Sequence, residues 1–417
     1  MSRSYVLPAS FRPPGVPDPA GASRARPSVL LDPIGYFADG ENNTTAQAET
    51  SKGQVVQVSF TLADPPAVSY VCVQCPGLEV DDFAAEPVIL CADGPFVLLA
   101  LTFIYSPSRP VIAGSGRSEY FVYRAGPEEP SLELIPRPHF TCPFLGHVGI
   151  LHCGDGQFAI AVLDINLADG GWSYDLHLFS SRESNAWITK RVTRDLSCDW
   201  DLPAMFHTTS KVVTVGGGKL GWVDLWRGII VCDVLHTDED PFVRFTSLPD
   251  PMESNKDDFG DTCPRSIRDI NCTNGSFRFV EMEFLDEGED SPDAWTATVW
   301  KKTLSGDWHI LHFIDVEDIS VSTRHSDMFP ELWDDKAMKP SLTKLMTASP
   351  TLTLLDDGVV YMMSKVSYDD PRAWMISVDM RTKEMIQMFP FCVDRARNTI
   401  TVDYHPFSFS SYLNDAT

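Results

Sequence analysis

Short runs of Val, Ile, Leu, Phe, Tyr and Trp, broken by Gly, Pro, Asp, Asn and Ser, recur from residue 28 onward. Apolar runs of this length between turn-forming residues predict β-strands. The clearest cover 55–62, 68–74, 95–105, 119–125, 157–165, 174–180, 186–192, 211–216, 276–285, 294–302, 308–314, 358–366 and 373–380. Helical spacing of apolar residues is rare. The best helix candidate is Pro330 to Met346, inside an irregular stretch at 321–350.

The strands group into units of roughly 45–60 residues, the period of a repeated supersecondary structure. A unit opens with a short apolar strand and a Gly or Asp turn, as in CADGPFVLLAL and HCGDGQFAIAV. A longer, near-continuous apolar strand follows, then an alternating strand, then a last strand that carries Trp or precedes Pro. Continuous apolar runs fit strands covered on both faces, and alternation fits strands with one wet face. The expected fold class is therefore all-β: a single closed β-propeller-like ring of about six four-stranded blades. The insertion at 321–350 would be partly helical. The alternative is two β-sandwich domains.

Residues 28–405 would form the ring, with 1–27 a disordered leader and 406–417 a C-terminal tail. Pro8, Pro13, Pro14, Pro17, Pro19 and Pro27 prevent a regular helix in the leader. Arg3 and Arg12 precede its first acid, Asp18, so an organelle transit peptide is the alternative reading. A last strand candidate at 398–404 lacks a neighbouring partner, and pairing with the first unit would close the ring and hide its edges.

Charge narrows the partners. Of 417 residues, 33 are Lys or Arg and 58 Asp or Glu, a net charge of −25. That excess repels phosphate backbones and anionic lipid, so neither nucleic acid nor membrane is an expected partner. The chain lacks an apolar h-region at its start, and its ten cysteines are expected to be thiols in a reducing cytoplasm or nucleus.

No constellation reads as catalytic, metal-binding or cofactor-binding. Cys72 and Cys75 form one CxxC without a second, on a strand that turns positions three apart to opposite faces. Val215–Lys219 (VGGGK) lacks the Ser or Thr that completes a phosphate loop, and reads as a glycine-rich turn. His147, His152, His309 and His312 lie on or beside strands, without the helical spacing of a zinc protease. The acidic runs at 236–241 and 286–293 lack the spacing of a calcium loop.

The segment LGWVDLWRGIIVCDVL, Leu220 to Leu235, reads as two strands joined at Arg227-Gly228. Alternation places Trp222, Asp224 and Trp226 on one face, Val223 and Leu225 on the other. One reading is packing, with Asp224 or Asp233 tying down the turn. The other is a recognition patch of Trp222, Asp224, Trp226 and Arg227, since Trp and Arg are enriched at binding hot spots.

This segment, together with VLLDPIGYFADGENNTTAQAETSKGQVVQVSFTLADPPAVSYVCVQCPG at 29–77, is similar to the grass-expanded plant family known as domain of unknown function 1618. The resemblance spans roughly 28–405. It implies a plant source and a propeller-like relative of F-box-associated domains, and it carries no activity and no catalytic residues. The proline-rich stretch before Val29 leaves no room for an F-box, so docking to a ligase core is not expected. The expected function is a non-enzymatic module that binds a protein partner with a basic patch through loops on one face. The alternatives are a propeller-type glycoside hydrolase, which needs paired carboxylates about 5–10 Å apart in the channel, and a small-ligand sensor.

Overall fold

Strand follows strand along the computed structural model, which describes residues 6–14, 26–104, 117–126, 129–140, 147–166, 173–182, 186–195, 206–236, 241–257, 259–260, 262–285, 294–335, 338–367, 370, 372–392 and 404–413. The protein is all-β, and the α-helix among these residues is a six-residue piece, Thr323–Met328. The thirteen clearest strands read from the apolar pattern are all present, with ends shifted by at most two residues from those expected.

Four consecutive strands form each middle unit. The second sheet is Val88–Asp93, Phe96–Phe103, Arg117–Arg124 and Ser131–Ile135; the fifth is Arg268–Thr273, Ser276–Phe284, Trp295–Thr303 and His309–Asp315; the sixth is Met346–Leu352, Val359–Lys365, Arg372–Asp379 and Glu384–Cys392. Strand order follows chain order, so each is a meander without Greek-key crossovers. The third unit (Val148–His152, Phe158–Asn166, Ser173–Ser180, Ile188–Arg194) and the fourth (Lys211–Gly216, Lys219–Asp224, Gly228–Asp233, Phe242–Ser247) have the same layout. They differ from the expected separate blades in one respect. Their outer strands pair in parallel, Thr193 with Phe242 and Arg194 with Val243, giving one eight-stranded sheet.

Burial follows the position of each strand. Phe96–Phe103 is buried at every residue but Thr102, because neighbours cover both faces. Outer strands such as Phe242–Ser247 alternate buried and exposed residues. Turn chemistry sets the hairpins: Asn274 and Gly275, at φ 52° and 71°, supply the two left-handed positions of a tight turn between Thr273 and Ser276. The first strands of successive units touch in order: Val88–Asp93, Val148–His152, Lys211–Gly216, Arg268–Thr273, Met346–Leu352 and finally His405–Phe407.

The first sheet corrects two boundaries. It joins Val29–Leu31, Tyr36–Phe37, Ala46–Glu49, Val55–Thr61 and Val68–Gln74 with His405–Phe407. The last pairs antiparallel with Val29–Leu31, so the C-terminal strand that completes the first sheet begins at His405. Of the candidate 398–404, only Tyr404 falls within the described residues. Residues 406–413 are not a loose tail: Phe409 is fully buried between Phe60 and Tyr123. Nor is the described part of the leader, 6–14, without structure. Pro8–Phe11 forms a 3-10 turn, Phe11 stacks on Phe37 at 5.5 Å, and the Leu7 N–H donates to Glu86 at 2.9 Å. Apolar Val6 and Phe11 dock on the first sheet's core cluster, which outweighs the prolines.

The expected helix at 330–346 is also corrected. The helix lies earlier, at Thr323–Met328, started by Ser322, whose hydroxyl accepts from the Arg324 N–H. Pro330 opens a 3-10 turn, Pro340 sits in a two-residue strand, and Met346 already belongs to the sixth sheet. Proline cannot donate within a helix, so the segment breaks at both.

Candidate functional site

The Leu220–Leu235 segment forms the hairpin of Lys219–Asp224 and Gly228–Asp233. Its turn is Leu225–Arg227, one residue earlier than expected, and Trp226 lies in the turn instead of on the strand. The two tryptophans therefore diverge. Trp222, 1% exposed, fills the core between the third and fourth units, and its indole N–H donates to the His147 carbonyl at 2.9 Å. Trp226 enters the core shared with the fifth and sixth sheets and donates to the Thr262 carbonyl at 3.0 Å.

Asp224 is the hub of the turn. Its Oδ1 accepts from the N–H groups of Trp226 (2.8 Å) and Arg227 (3.1 Å). Its Oδ2 accepts from the Thr208 N–H (2.8 Å) and from Arg227 Nη1 (3.2 Å). The turn-tying role expected of Asp224 or Asp233 thus falls to Asp224. Asp233 accepts from the N–H groups of Leu235 and His236, in the next turn. Arg227 is partly exposed and lies 5.4 Å from the Phe259 ring.

Next to this hairpin lies a network of buried charge that sequence reading missed. Arg268 and Glu281 stand opposite each other in the fifth sheet, both with fully buried side chains, Nη2 to Oε1 at 2.8 Å. Arg268 also donates to the Leu225 carbonyl (2.9 Å) and lies 4.3 Å over the Trp226 ring. Burial lowers its guanidinium from the ordinary value, and the Glu281 charge opposes the shift. Glu281 Oε1 accepts further from the Met252 N–H and the Asn255 amide. Asp269 takes Lys211 Nζ at 2.7 Å, Arg265 Nη1 at 2.9 Å and the Leu352 N–H at 3.0 Å, so it connects the fourth, fifth and sixth sheets. Arg265 reaches His405 at 3.3 Å. Arg278 pairs with Asp357 at 3.1 Å. The available signal was a charge inside an apolar strand, as in SFRFVEMEF, where charge is rarely buried unless paired.

Chemically, Asp224, Asp269 and Glu281 each accept several hydrogen bonds from cations or backbone N–H groups of the same chain. They act as connectors between turns and sheets. Other motifs have settled places. Gly216, Gly217 and Gly218 all have positive φ, in the turn between Lys211–Gly216 and Lys219–Asp224, so VGGGK is a glycine-rich turn. Cys72 and Cys75 belong to different core clusters, and burial pushes the Cys75 thiol up to about 12. Cys75, Cys91, Cys153, Cys232, Cys263 and Cys272 are free thiols. Among the described residues no group of three or more His, Cys, Asp or Glu converges as for a metal ion, and no helix is long and apolar enough to cross a membrane. The acidic run 286–293 lies outside the described residues, as does 236–241 apart from His236 and Pro241.

Fold and site together define an all-β protein of repeated four-stranded units held together by a tryptophan hairpin and buried ion pairs. Residues 222–361, which include Trp222, Trp226 and the Arg268–Glu281 pair, match the family described as "Protein of unknown function (DUF1618)". No curated protein matches the chain. Among solved structures, a protein of unknown function from Dyadobacter fermentans is 10% identical, covering 82% of this chain and 94% of its own, at a TM-score of 0.31. The Bombyx mori GH32 β-fructofuranosidase BmSUC1 is 9% identical over 73% of this chain and 62% of its own, TM-score 0.28. A B. megaterium levansucrase variant is 8% identical over 85% and 91%, TM-score 0.26. Likenesses this loose decide nothing about activity.

Proposed function

We propose that the six strand units stand as blades of one closed ring, and that the protein is a non-enzymatic module binding a protein partner through loops on one face of that ring. Support for the ring comes from the unbroken succession of contacts between first strands, ending on a strand that pairs with the first sheet. The observation that carries the recognition reading is how the interior charge is used. Asp224, Asp269 and Glu281 are committed to fixing turns and joining sheets. A scaffold fixed in this way holds its loops rigidly, as recognition surfaces require. The net charge of −25 favours a partner with a basic patch, drawn in by long-range attraction. The reading places the protein in the cytoplasm or nucleus, where its thiols stay reduced.

The test is reconstitution. A partner captured from the native tissue is purified and titrated against the protein at low and at physiological salt. Saturable one-to-one binding that weakens with salt is expected, because screening shortens the reach of the attraction. Turnover of a substrate, abolished by one carboxylate substitution in a folded variant, would overturn the reading in favour of an enzyme.

A further inference from the structure

A cavity of about 230 Å³ lies between the second and third units. It is separate from the tryptophan hairpin, and its chemistry is independent of the recognition reading. Its walls include Phe96, Arg124, Ser131, Glu133, Gln157 and Ser181. Arg124 ends the strand Arg117–Arg124 and stands opposite both Phe96 and Ser131, so its guanidinium lies over the Phe96 ring, 5.9 Å from the centroid.

This arginine differs from those of the buried network. Arg265, Arg268 and Arg278 each pair with a carboxylate. The side chain of Arg124 has no hydrogen bond or ion pair among the described residues, and its Nε is buried. A buried donor left without a partner is costly, so a ligand that supplies the acceptor is favoured. A second donor faces the same space. The Ser181 hydroxyl donates to Gln157 Oε1 at 2.8 Å and accepts from the Phe158 N–H at 2.9 Å. That bond orients the Gln157 amide and leaves its NH2 without a partner among the described residues. The backbone makes room for the guanidinium. Gly156 has φ +68°, and a Cβ built there would overlap Arg124 Nη2. Glycine suits the left-handed conformation, and its missing Cβ leaves the space that the guanidinium occupies.

On the same sheet, the exposed carboxylate of Glu133 shares a face with Arg124, since Val122 pairs with Glu133 and Arg124 with Ser131. A planar fork of donors suits a carboxylate, and a nearby anion disfavours a doubly charged phosphate while accepting a hydroxyl. We propose that this cavity binds a small hydroxycarboxylate, its carboxylate on Arg124 and Gln157 and its hydroxyl on Glu133.

The experiment is calorimetric titration of the full chain with glycolate, lactate and glycerate, with acetate and inorganic phosphate as comparisons. At least one hydroxycarboxylate is expected to bind saturably, one per chain, and more tightly than acetate or phosphate. Arg124→Gln, with its fold checked by circular dichroism, should weaken that binding about tenfold or more, the loss of charge-assisted hydrogen bonds. Glu133→Gln alters only an exposed side chain, and should narrow the margin over both acetate and phosphate. Absence of saturable binding by all three hydroxycarboxylates overturns the proposal. So does equal binding by folded Arg124→Gln, or an unchanged margin in Glu133→Gln.

Discussion

Removing the Asp224 carboxylate would strand four donors at once: the N–H groups of Thr208, Trp226 and Arg227, and the Arg227 guanidinium. Breaking a buried charge pair from one side costs about 3–5 kcal/mol, and truncating a buried tryptophan costs a similar ~3–5 kcal/mol. Asp224→Ala and Trp222→Ala should therefore both shift chemical denaturation to markedly lower denaturant. A Trp222→Ala protein that unfolds like the wild type but loses a binding partner would establish the recognition role instead. His207 adds a pH dependence. It donates from Nε2 to the Trp222 carbonyl at 3.1 Å, and burial pushes its imidazole down to about 4, against partial compensation by Asp224. The unfolded chain takes up the proton near 6.5 and the folded one only near 4, so stability is complete above about pH 6.5 and falls through that window on acidification. The loss reaches up to about 3 kcal/mol. Melting temperatures followed from pH 7 to pH 4 should fall less steeply in His207→Asn than in the wild type.

At the scale of elements, legibility depended on period. Strands such as Phe96–Phe103 and Phe242–Ser247 declared themselves because burial on two faces or one leaves a visible apolar pattern. Val29–Leu31 and His405–Phe407 are three residues each, too short for a period, and their pairing spans nearly the whole chain. The same holds for the site. Asp224 was legible because a turn needs a local acceptor two or three residues away. The Arg268–Glu281 pair was not, because it exists only once the register of two strands is known. The C-terminal element carries its own expectation. Phe409 lies 4.8 Å from Phe60 and 6.5 Å from Tyr123, ring to ring, so Phe409→Ala should cost about 3–5 kcal/mol. Equilibrium denaturation checks this. A loss below about 1 kcal/mol would mean that the segment is not part of the core.

For the whole molecule, the proposed ring and the two-sandwich alternative differ in dimensions. A single compact body of 417 residues has a radius of gyration of about 22 Å. Small-angle scattering of the monomer should give a value near this, with one maximum in the distance distribution. A second maximum, from two separated lobes, would remove the ring.

The pairing of Val29–Leu31 with His405–Phe407 also matters before the protein is finished. A ribosome delivers the N-terminal strand long before its partner. At about 5–20 residues per second the delay between them is roughly 20–75 s. Throughout that time one edge of the first sheet stays open, and the hydrophobic site that Phe409 will fill beside Phe60 stays empty. Open edges and uncovered apolar surface invite pairing with other chains. The nascent chain should therefore depend on chaperone holding until translation passes Phe409, and overproduction that outruns the chaperone supply should yield inclusion bodies.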